Sequence, residues 1–446
     1  MIFSCKVFCL SLFRRRRLRK YCAFPYILYR QRTSSILTVL CICSVSLYLL
    51  NIRHSPPGNE NALTYDAPPL GPFDCAALIR QDEFASSNAE TYSTLHPHVS
   101  LPNGEYAKNL CQNCDEFRKR GRYISMNNVT KEEKDFPLAY SIVLYKEPDQ
   151  VENLLRAIYR PHNYYCIHVD KSSDPLILSD MEAIAKCLPN VYIASRIIDV
   201  QWGQFSETEA ELICMKDLLK YKKWKYFINL TGQEYPLKTN LQIVRIAKAF
   251  KGANDIAGVR GNYDFRTKFR YVNFRRMGLK PPSPHNITVS KGSIHITASR
   301  GYVEFLIMDR RSQDFINWVR DTRNPDETLF STMNHNPHLR VPGSFNGTDI
   351  HKKPLISRFK LWKNINPNSC HGKWLRSVCV FGHDDLKQLT NSPKLFANKF
   401  EQGFMPMTLR CLSEWHYNRT RDEYDGKYVF SAKAYEKQRH VLLRIQ

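Results

Sequence analysis

The chain has 446 residues, 43% of them hydrophobic and 24% charged, with a formal net charge of +23. This length excludes a minimal module built around one small core, although about 370 residues remain for a single elaborated domain once the N-terminal segments are set aside. Part of the positive charge belongs to those segments, so the excess does not indicate a nucleic-acid partner, and we expect none.

The N-terminal segment has the pattern of a membrane anchor. An apolar run extends from Ser34 to about Ile52, close to the ~17–20 residues that a helix needs to cross a bilayer. Basic residues precede it and stay on the cytosolic side, so everything after Arg53 is expected to be lumenal or extracellular. A cleaved signal peptide is the alternative, but the basic region is too long and no small-x-small cleavage pattern follows Leu50. The basic residues are Arg14, Arg15, Arg16, Arg17, Arg19, Lys20, Arg30 and Arg32.

After this run the composition turns to Pro, Gly and Asn as far as Phe73, without periodicity. Such a stretch is typical of a stem that spaces a domain from a membrane. The predicted segments are a cytosolic basic tail (1–33), an uncleaved transmembrane signal-anchor (34–52), a stem and N-terminal lumenal region (53–115), the main domain (116–415) and a C-terminal tail (416–446).

Nine cysteines follow the predicted anchor. In an oxidising lumen they should form disulfides, and the odd number leaves one over. The Cys111-x-x-Cys114 pair could suggest redox or zinc chemistry. No second CxxC and no histidine pair accompanies it, so we expect no metal site.

Glycosylation sequons also agree with passage through the secretory pathway. One further match, at Asn229, ends an apolar strand and is expected to be buried and unmodified. The four sequons expected to be accessible are at Asn128, Asn286, Asn346 and Asn418.

Apolar runs and helical periodicities alternate from residue 136 onwards. Alternation with short connections predicts a mostly parallel, Rossmann-like sheet covered by helices on both faces, hence an α/β fold. Ligands of such sheets bind beyond the carboxyl ends of the strands. The predicted strands are 136–145, 164–170, 190–195 and 224–230, and the predicted helices are 149–159, 180–187, 207–220 and 240–250.

The carboxyl end of the second predicted strand carries Asp170, which can contact the ribose or base of a nucleotide or simply cap the strand. No G-x-G-x-x-G and no P-loop motif is present, so a bound diphosphate would be neutralised by side chains or a metal. Late in the chain, Arg376 precedes a buried strand and Lys399 lies between aromatic residues. A lysine among apolar neighbours is also typical of a snorkelling side chain.

The sequence Asn324-Pro-Asp-Glu327 carries the candidate catalytic group. Pro325 fixes its own φ and biases Asn324 away from the helical region, so a turn is expected there. Asp326 or Glu327 then falls in the first helical turn and points toward whatever the turn opens onto. The alternative is an ordinary helix cap with no chemistry.

These pieces, in this order, resemble the branching β-1,6-N-acetylglucosaminyltransferases, the core 2 and I-branching enzymes of the Golgi (glycosyltransferase family 14). The resemblance extends from about Cys114 to Cys411. It implies a glycosyltransferase-A-like fold and an inverting reaction that needs no Asp-x-Asp motif and no metal. The most specific matches are Ala139-Tyr-Ser-Ile-Val143, Tyr165-Cys-Ile-His-Val-Asp170, Trp224-Lys-Tyr-Phe-Ile-Asn229, Pro236-Leu-Lys-Thr-Asn240, Pro325-Asp-Glu327, Arg376-Ser-Val-Cys-Val-Phe-Gly382 and Phe396-Ala-Asn-Lys-Phe400.

The resemblance assigns roles to individual residues. Glu327 matches the general base and touches the acceptor. Arg376 and Lys399 match the two cations that neutralise the leaving UDP. The remaining matches are the nucleotide contacts Val143 and Asp170, the donor-side Trp202 and the acceptor-site aromatic Trp362.

The resemblance also implies a disulfide pattern. Cys111 is left over, which is compatible with a disulfide-linked dimer through this thiol. The implied pairs are Cys75–Cys411, Cys114–Cys187, Cys166–Cys214 and Cys370–Cys379.

Some positions depart from the family pattern. Ala257 stands where the family has a glutamate that contacts the acceptor sugar, and Asn364 replaces an acceptor-site tyrosine. Trp202 replaces a tyrosine, and the segment 200–203 is closer to the related peptide O-xylosyltransferases. The nucleotide end therefore matches the family, whereas the acceptor end is altered.

We therefore expect a type II Golgi glycosyltransferase, with a lumenal catalytic domain, that transfers N-acetylglucosamine from UDP-GlcNAc in β-1,6 linkage to O-glycans of glycoproteins. A related transferase with another donor or acceptor is the alternative. A hydrolase is disfavoured because glycosidases need carboxylates facing each other at ~5–9.5 Å, whereas Asp326 and Glu327 are adjacent. A catalytically silent glycan-binding protein is disfavoured because it has no use for cations that stabilise a leaving group.

Overall fold

The structure is a computed structural model that describes residues 74–95, 100–260, 264–347 and 355–446. The predicted cytosolic tail, signal-anchor and first part of the stem lie outside these ranges. Among the described residues, no helix has the length and apolar character that crossing a membrane requires.

The described strands form one central sheet and three smaller ones. In the central sheet the strand order is β3-β2-β1-β4-β9-β6. The strands are β1 Leu138–Leu144, β2 Tyr164–Val169, β3 Val191–Ile193, β4 Tyr226–Thr231, β5 Glu234–Pro236, β6 Asp255–Ile256, β7 Phe269–Val272, β8 Arg275–Leu279, β9 Ile296–Ser299, β10 Arg358–Phe359, β11 Lys373–Leu375, β12 Val378–Val380 and β13 Phe396–Asn398.

The helices alternate with the first four strands as the sequence predicts. Short helical turns occur at Tyr106–Leu110, Met126–Asn128, Pro284–Asn286, Pro325–Glu327, Pro337–Leu339 and His383–Asp385. The α-helices are α1 Cys75–Arg80, α2 Glu83–Leu95, α3 Cys114–Arg120, α4 Lys131–Lys134, α5 Pro148–Ile158, α6 Pro175–Cys187, α7 Phe205–Leu218, α8 Asn240–Ala249, α9 Asp264–Thr267, α10 Arg300–Met308, α11 Arg310–Val319, α12 Leu329–Asn334, α13 Leu386–Thr390, α14 Met407–Tyr424, α15 Lys433–Glu436 and α16 Arg439–Leu442.

The central sheet is mostly parallel and buried on both faces, which confirms the predicted mixed α/β architecture. β3, β2, β1 and β4 pair in parallel, whereas β9 and β6 add antiparallel pairs at one side. Alternate residues of β1 face two different cores: Tyr140 and Ile142 pack with α5, α6 and α8, whereas Ala139 packs with α7, α10 and α11. This period of two explains why the strand is apolar throughout.

A second layer carries the late cations. β13 lies between β10 and β5, and β11 pairs with β12 in a separate hairpin. The buried guanidinium of Arg358 donates to the Glu234 carboxylate at 2.8 Å, which joins β10 to β5. A third apolar cluster, formed by α1, α13 and α14, packs beneath these strands.

The structure forms all four expected disulfides, and Cys75–Cys411 joins α1 to α14. Cys111 is free and buried, and burial raises the pKa of its thiol to about 12. Both features disfavour a bond to a second chain, because a disulfide forms from an accessible thiolate. Helix α14 is continuous across residue 415, and the domain boundaries stay predictions.

Three of the four sequons expected to be accessible are exposed, whereas Asn418 departs from the expectation because it lies within α14. Asn128, Asn286 and Asn346 are exposed and Asn418 is half-buried. Asn229 is buried, and its side chain is bonded to the backbone of Ile294 and Ile296. Because both amide positions of Asn229 are used inside the core, the structure is consistent with an unmodified residue there.

Candidate functional site

Asp170 lies just beyond β2, at the carboxyl edge of the sheet. Its backbone N–H donates to the carbonyl of Leu144 at 2.8 Å, which fixes it beside the end of β1. One carboxylate oxygen accepts from the N–H and hydroxyl of Ser172, each at 2.9 Å, and from the N–H of Val200 at 3.3 Å. The second oxygen carries none of these bonds and is the one that a ligand can use.

Val143 and Trp202, the other residues expected at the donor end, lie near this edge. Val143 is half-buried near the end of β1, in register with His168 and Thr231. Trp202 is 66% exposed and its ring lies 5.9 Å from that of Phe274. An exposed indole beside the nucleotide edge is available to a ligand.

Arg376 is held at the tip of a tight hairpin. Arg376 and Ser377 connect β11 to β12 with φ values of 49° and 64°. Positive φ at both central residues is typical of a two-residue hairpin turn, so the backbone directs Arg376 into solvent. The Cys370–Cys379 disulfide ties the same hairpin to the preceding loop.

Lys399 lies against this hairpin, directly after β13. Its N–H donates to Cys379 at 3.3 Å, and its carbonyl accepts from Phe381 at 3.1 Å. Burial lowers the pKa of Lys399, and the charges of Lys146, Arg376 and Lys373 lower it further, while Glu401 opposes them. Lys373 pairs with Glu401 at 2.7 Å and Lys146 with Glu147 at 3.0 Å, so Arg376 and Lys399 are the two cations of this group best suited to an anionic ligand.

Glu327 lies on a 3-10 turn, Pro325–Glu327, and the α-helix proper begins at Leu329. Asn324 adopts a left-handed conformation with φ 53°, as expected for a turn before proline. The Glu327 side chain is 29% exposed. It meets Arg266 at 2.5 Å and Lys291 at 3.7 Å. Two cations thus hold this carboxylate at the surface, whereas an ordinary cap would bond its own helix.

Two more carboxyl groups accompany Glu327. Asp326 is its neighbour, and Glu207 in the first turn of α7 accepts from the N–H of Gly203 at 2.9 Å. Burial and then the charge of Asp326 raise the pKa of Glu207 to about 8; burial and then the charge of Glu327 raise that of Asp326 to about 6. Crowded carboxyl groups of this kind share protons, a feature that often marks a functional site.

Lys360 connects the cationic and acidic parts. Burial lowers the pKa of Lys360, and the charge of Glu234 opposes this shift. The charge of Lys399 lowers the pKa further, and the charge of Glu327 raises it. Its ammonium lies 4.5 Å from the Trp362 ring centre. The following segment runs beside β12, where the N–H of Lys363 donates to Ser377 at 3.0 Å. Trp362, Arg376, Lys399 and Glu327 are therefore parts of one region.

Two positions depart from the family pattern on the expected acceptor side, Ala257 and Asn364. Ala257 is half-buried, and a Cβ on Gly292 would lie only 2.5 Å from its carbonyl oxygen. Gly292 in turn donates to the carbonyl of Glu327 at 2.6 Å. Asn364 is exposed. Ala257 is thus linked through Gly292 to the backbone of Glu327, and its methyl group offers no hydrogen bond.

Within the described ranges, one group of side chains has metal-ligand types close together: Cys370, Cys379 and Asp385. Its two sulfurs are joined in a disulfide and are not thiolates. Asp385 accepts from Gly382 and His371. These atoms suit a structural corner and do not fit a metal.

The comparisons with known proteins agree with this geometry. The family model of the core-2/I-branching enzymes matches residues 138–390. The chain belongs to the core-2/I-branching enzyme family. It is therefore a glycosyltransferase, and the predicted family and enzyme class are confirmed.

Individual relatives of this branching-enzyme family cover most of the chain. A mouse N-acetyllactosaminide beta-1,6-N-acetylglucosaminyl-transferase is 37% identical over 313 residues, 67% of this chain and 77% of the relative. A human beta-1,3-galactosyl-O-glycosyl-glycoprotein beta-1,6-N-acetylglucosaminyltransferase is 37% identical over 325 residues, 69% of this chain and 75% of the relative. A bovine protein of the same name is 34% identical over 423 residues, 89% of this chain and 96% of the relative.

Four residues of this branching-enzyme site escaped sequence reasoning: Glu207, Arg266, Lys291 and Lys360. Each lies in a stretch whose local pattern is ordinary, and only the fold brings them to Glu327. The sequence gives one weak indication for Arg266. No acidic residue occurs between Phe265 and Val303, so the cations in this stretch have no local carboxylate partner within it. The roles assigned to Glu327, Arg376 and Lys399 stay predictions.

Proposed function

We propose that this protein transfers N-acetylglucosamine from UDP-GlcNAc to the primary hydroxyl of an O-glycan sugar, forming a β-1,6 branch with inversion at the donor's anomeric carbon. Membership in a family of β-1,6-N-acetylglucosaminyltransferases supports the reaction class. The central sheet flanked by helices supports a glycosyltransferase-A-like fold.

In this mechanism Glu327 is the general base. The acceptor oxygen attacks C1 of the donor sugar while its proton passes to the Glu327 carboxylate. The new O–C1 bond forms as the bond from C1 to the UDP oxygen breaks, and UDP leaves with the electron pair. Arg266 and Lys291 pair with the carboxylate of Glu327 and hold it in place before the attack. A positioned base typically contributes ~10²–10⁴-fold.

Arg376 and Lys399 stabilise the diphosphate as its charge grows. Their positions on a disulfide-tied hairpin and the adjacent strand end make them preorganised, so little reorganisation is needed during the reaction. Asp170, Val143 and Trp202 bind the nucleoside and its sugar at the opposite wall. We propose that these cations replace a metal.

One observation carries this proposal. Glu327, which is 29% exposed, and Lys399 both lie close enough to Lys360 for their charges to shift its pKa. A base at one end and an anion site at the other is the arrangement that an in-line displacement on a nucleotide sugar requires. A glycan-binding module needs neither.

The cellular setting is part of the proposal. Residues 1–33 would be the cytosolic tail and 34–52 the signal-anchor of a type II Golgi membrane protein, with the catalytic domain in the lumen. The exposed sequons and four disulfides support passage through an oxidising secretory compartment.

The test is UDP release by the purified full-length protein, with UDP-GlcNAc and an array of O-glycan acceptors, followed by linkage analysis of the product. We expect acceptor-dependent UDP release and a β-1,6-linked GlcNAc. Glycan binding without UDP release would favour a silent lectin. Because the segment 200–203 is closer to peptide O-xylosyltransferases, UDP-xylose with a serine peptide is the second donor–acceptor pair to assay.

A further inference from the structure

Glu207 lies between the two turns that carry the donor and base residues. It bonds the N–H of Gly203, and Gly203 follows Trp202 in the donor-side turn. A Cβ on Gly203 would lie 3.3 Å from the side-chain nitrogen of Asn324, so the donor-side turn touches the turn that leads to Glu327. Helix α7, which carries Glu207, also packs on the Pro325–Glu327 turn.

The other end of the donor-side turn is tied to the nucleotide edge. Val200 donates to Asp170, the residue at the carboxyl end of β2. The order across the site is therefore Asp170, the 200–203 turn, Glu207 and Glu327. Glu207 therefore lies between the expected nucleotide contact and the expected base, where a donor sugar joining the two would be within its reach.

The surroundings of Glu207 raise its pKa and so favour its protonated form. Burial, then the charges of Asp326 and Glu327, raise its pKa, while the Gly203 N–H and the charge of Lys360 oppose the shift. Arg266 and Lys291 face the same region but pair with Glu327. A neutral carboxyl group has one O–H donor, which an ionised carboxylate lacks.

We infer that Glu207 recognises the transferred sugar: one oxygen is held by Gly203, and the other, as O–H, donates a hydrogen bond to the acetamido carbonyl of the N-acetylhexosamine. This inference rests on the proposed function. Among the neutral groups of such a sugar, the amide carbonyl is the strongest acceptor, so a proton-bearing acid selects for it. The carboxyl group thereby distinguishes UDP-GlcNAc from UDP-glucose.

The experiment compares Glu207→Ala, Glu207→Gln and Glu209→Gln in the full-length protein, with UDP-GlcNAc and UDP-glucose as donors. Glu209 is the matched control because it is two residues further along α7 and pairs with Arg196 at 2.7 Å, away from the site. We expect Glu207→Ala to raise KM for UDP-GlcNAc about tenfold and to change UDP-glucose kinetics less than threefold. Glu209→Gln should leave both donors unchanged.

The pH profile separates recognition from a structural role. The wild-type KM for UDP-GlcNAc should rise on the alkaline side, where Glu207 loses its proton and with it the donor. Glu207→Gln keeps an N–H donor that does not titrate. This variant should raise KM for UDP-GlcNAc about threefold near neutral pH, and its KM should show no alkaline rise.

Two results would overturn the inference. One is an alkaline rise in KM that persists unchanged in Glu207→Gln. The other is an equal rise in KM for UDP-GlcNAc and UDP-glucose in Glu207→Ala, which would mean that Glu207 only supports the Gly203 turn. A wild-type protein that transfers no GlcNAc at all would instead refute the proposed function, and this is measured first.

Discussion

The donor end and the acceptor end of the site are built differently. At the donor end Asp170 is fixed by hydrogen bonds from Ser172 and Val200, and Arg376 lies on a hairpin tied by a disulfide. At the proposed acceptor end the second strand of the β7–β8 hairpin is exposed along its whole length, and the hairpin is fixed to Asp321 by the N–H of Tyr271 at 2.8 Å, by Arg270 at 3.6 Å and by an ion pair with Lys280. We therefore expect the donor end to act as the more rigid frame, and the exposed strand at the acceptor end to be the more variable surface.

The two ends also differ in how closely their residues match the family pattern. The donor-end residues expected from the family resemblance are present except that Trp202 replaces a tyrosine, whereas both Ala257 and Asn364 depart from the family pattern at the acceptor end. The exposed hairpin offers apolar groups, including Met277 and Leu279, among cations. Substitutions at the donor end should therefore affect every acceptor, and differences at the acceptor end should change only the choice among them.

The largest expected effect is on the base that both ends share. Glu327→Gln should lower kcat by at least about a hundredfold with every acceptor, since proton removal is lost while the shape is kept. UDP affinity, measured by calorimetry, should change little because the diphosphate contacts lie at the other end.

The control for the base is Glu304→Gln, which removes an exposed helix-surface pair with Arg300. This variant should behave as wild type. Near-normal turnover of Glu327→Gln would refute the role of Glu327. Carboxyl groups of Asp326 or Glu207 would then be the next candidates.

Loss of a donor-end cation should have the next largest effect. Arg376→Ala should weaken UDP binding about tenfold, near the lower limit for a charge-assisted hydrogen bond of about 1.5–3 kcal/mol, because Arg376 is exposed. The loss should be equal for all acceptors. Arg421→Ala, which removes an exposed arginine on α14, is the matched control. Unchanged UDP affinity in Arg376→Ala would remove this residue from the donor end.

The parallel part of the fold could be predicted because its strands are buried on both faces. The observed β1 to β4 agree with the predicted runs to within two residues at each end. Helix α6 begins at Pro175 rather than at residue 180, because Asp174 caps it and proline occupies its first position. The cap was visible in the sequence, but the apolar periodicity used for the prediction begins later.

The acceptor side was less predictable for a physical reason. β6 and β9 are short and pair with distant segments, so their local patterns are weak. Glu207 gains its significance from Asn324 and Asp326, which are far along the chain. Local periodicity contains no information on which loops meet, so motifs located Glu327, Arg376 and Lys399 but not the groups around them.

A smaller effect is expected on acceptor choice: initial rates on different acceptors should differ severalfold from those of a typical core 2 enzyme. A glutamate that accepts hydrogen bonds from a sugar rejects acceptors lacking those hydroxyls, and Ala257 cannot impose that penalty. Asn364 also removes an aromatic face on which a sugar ring could pack. We expect activity on core 1 O-glycans to be weaker or broader than in typical core 2 enzymes, with another O-linked acceptor preferred.

The measurement is a set of initial rates on core 1, core 3, lactosamine and peptide-serine acceptors, beside a core 2 enzyme. Strong and exclusive use of core 1 would contradict this expectation. In that case the exposed cations Lys268 and Arg270 would be the first residues to substitute, although Arg270 already lies close to Asp321.

The smallest expected effect is that of removing metal ions. The cluster of Lys146, Lys373, Arg376 and Lys399 supplies positive charge where a diphosphate would lie, so activity in EDTA should stay within about twofold of the untreated enzyme. A manganese-dependent glycosyltransferase, treated in parallel, should lose its activity. Strict dependence on added manganese would mean that a metal carries the diphosphate. The donor end would then lack the rigid, metal-free frame that distinguishes it from the acceptor end, and Arg376→Ala would affect metal affinity more than UDP affinity.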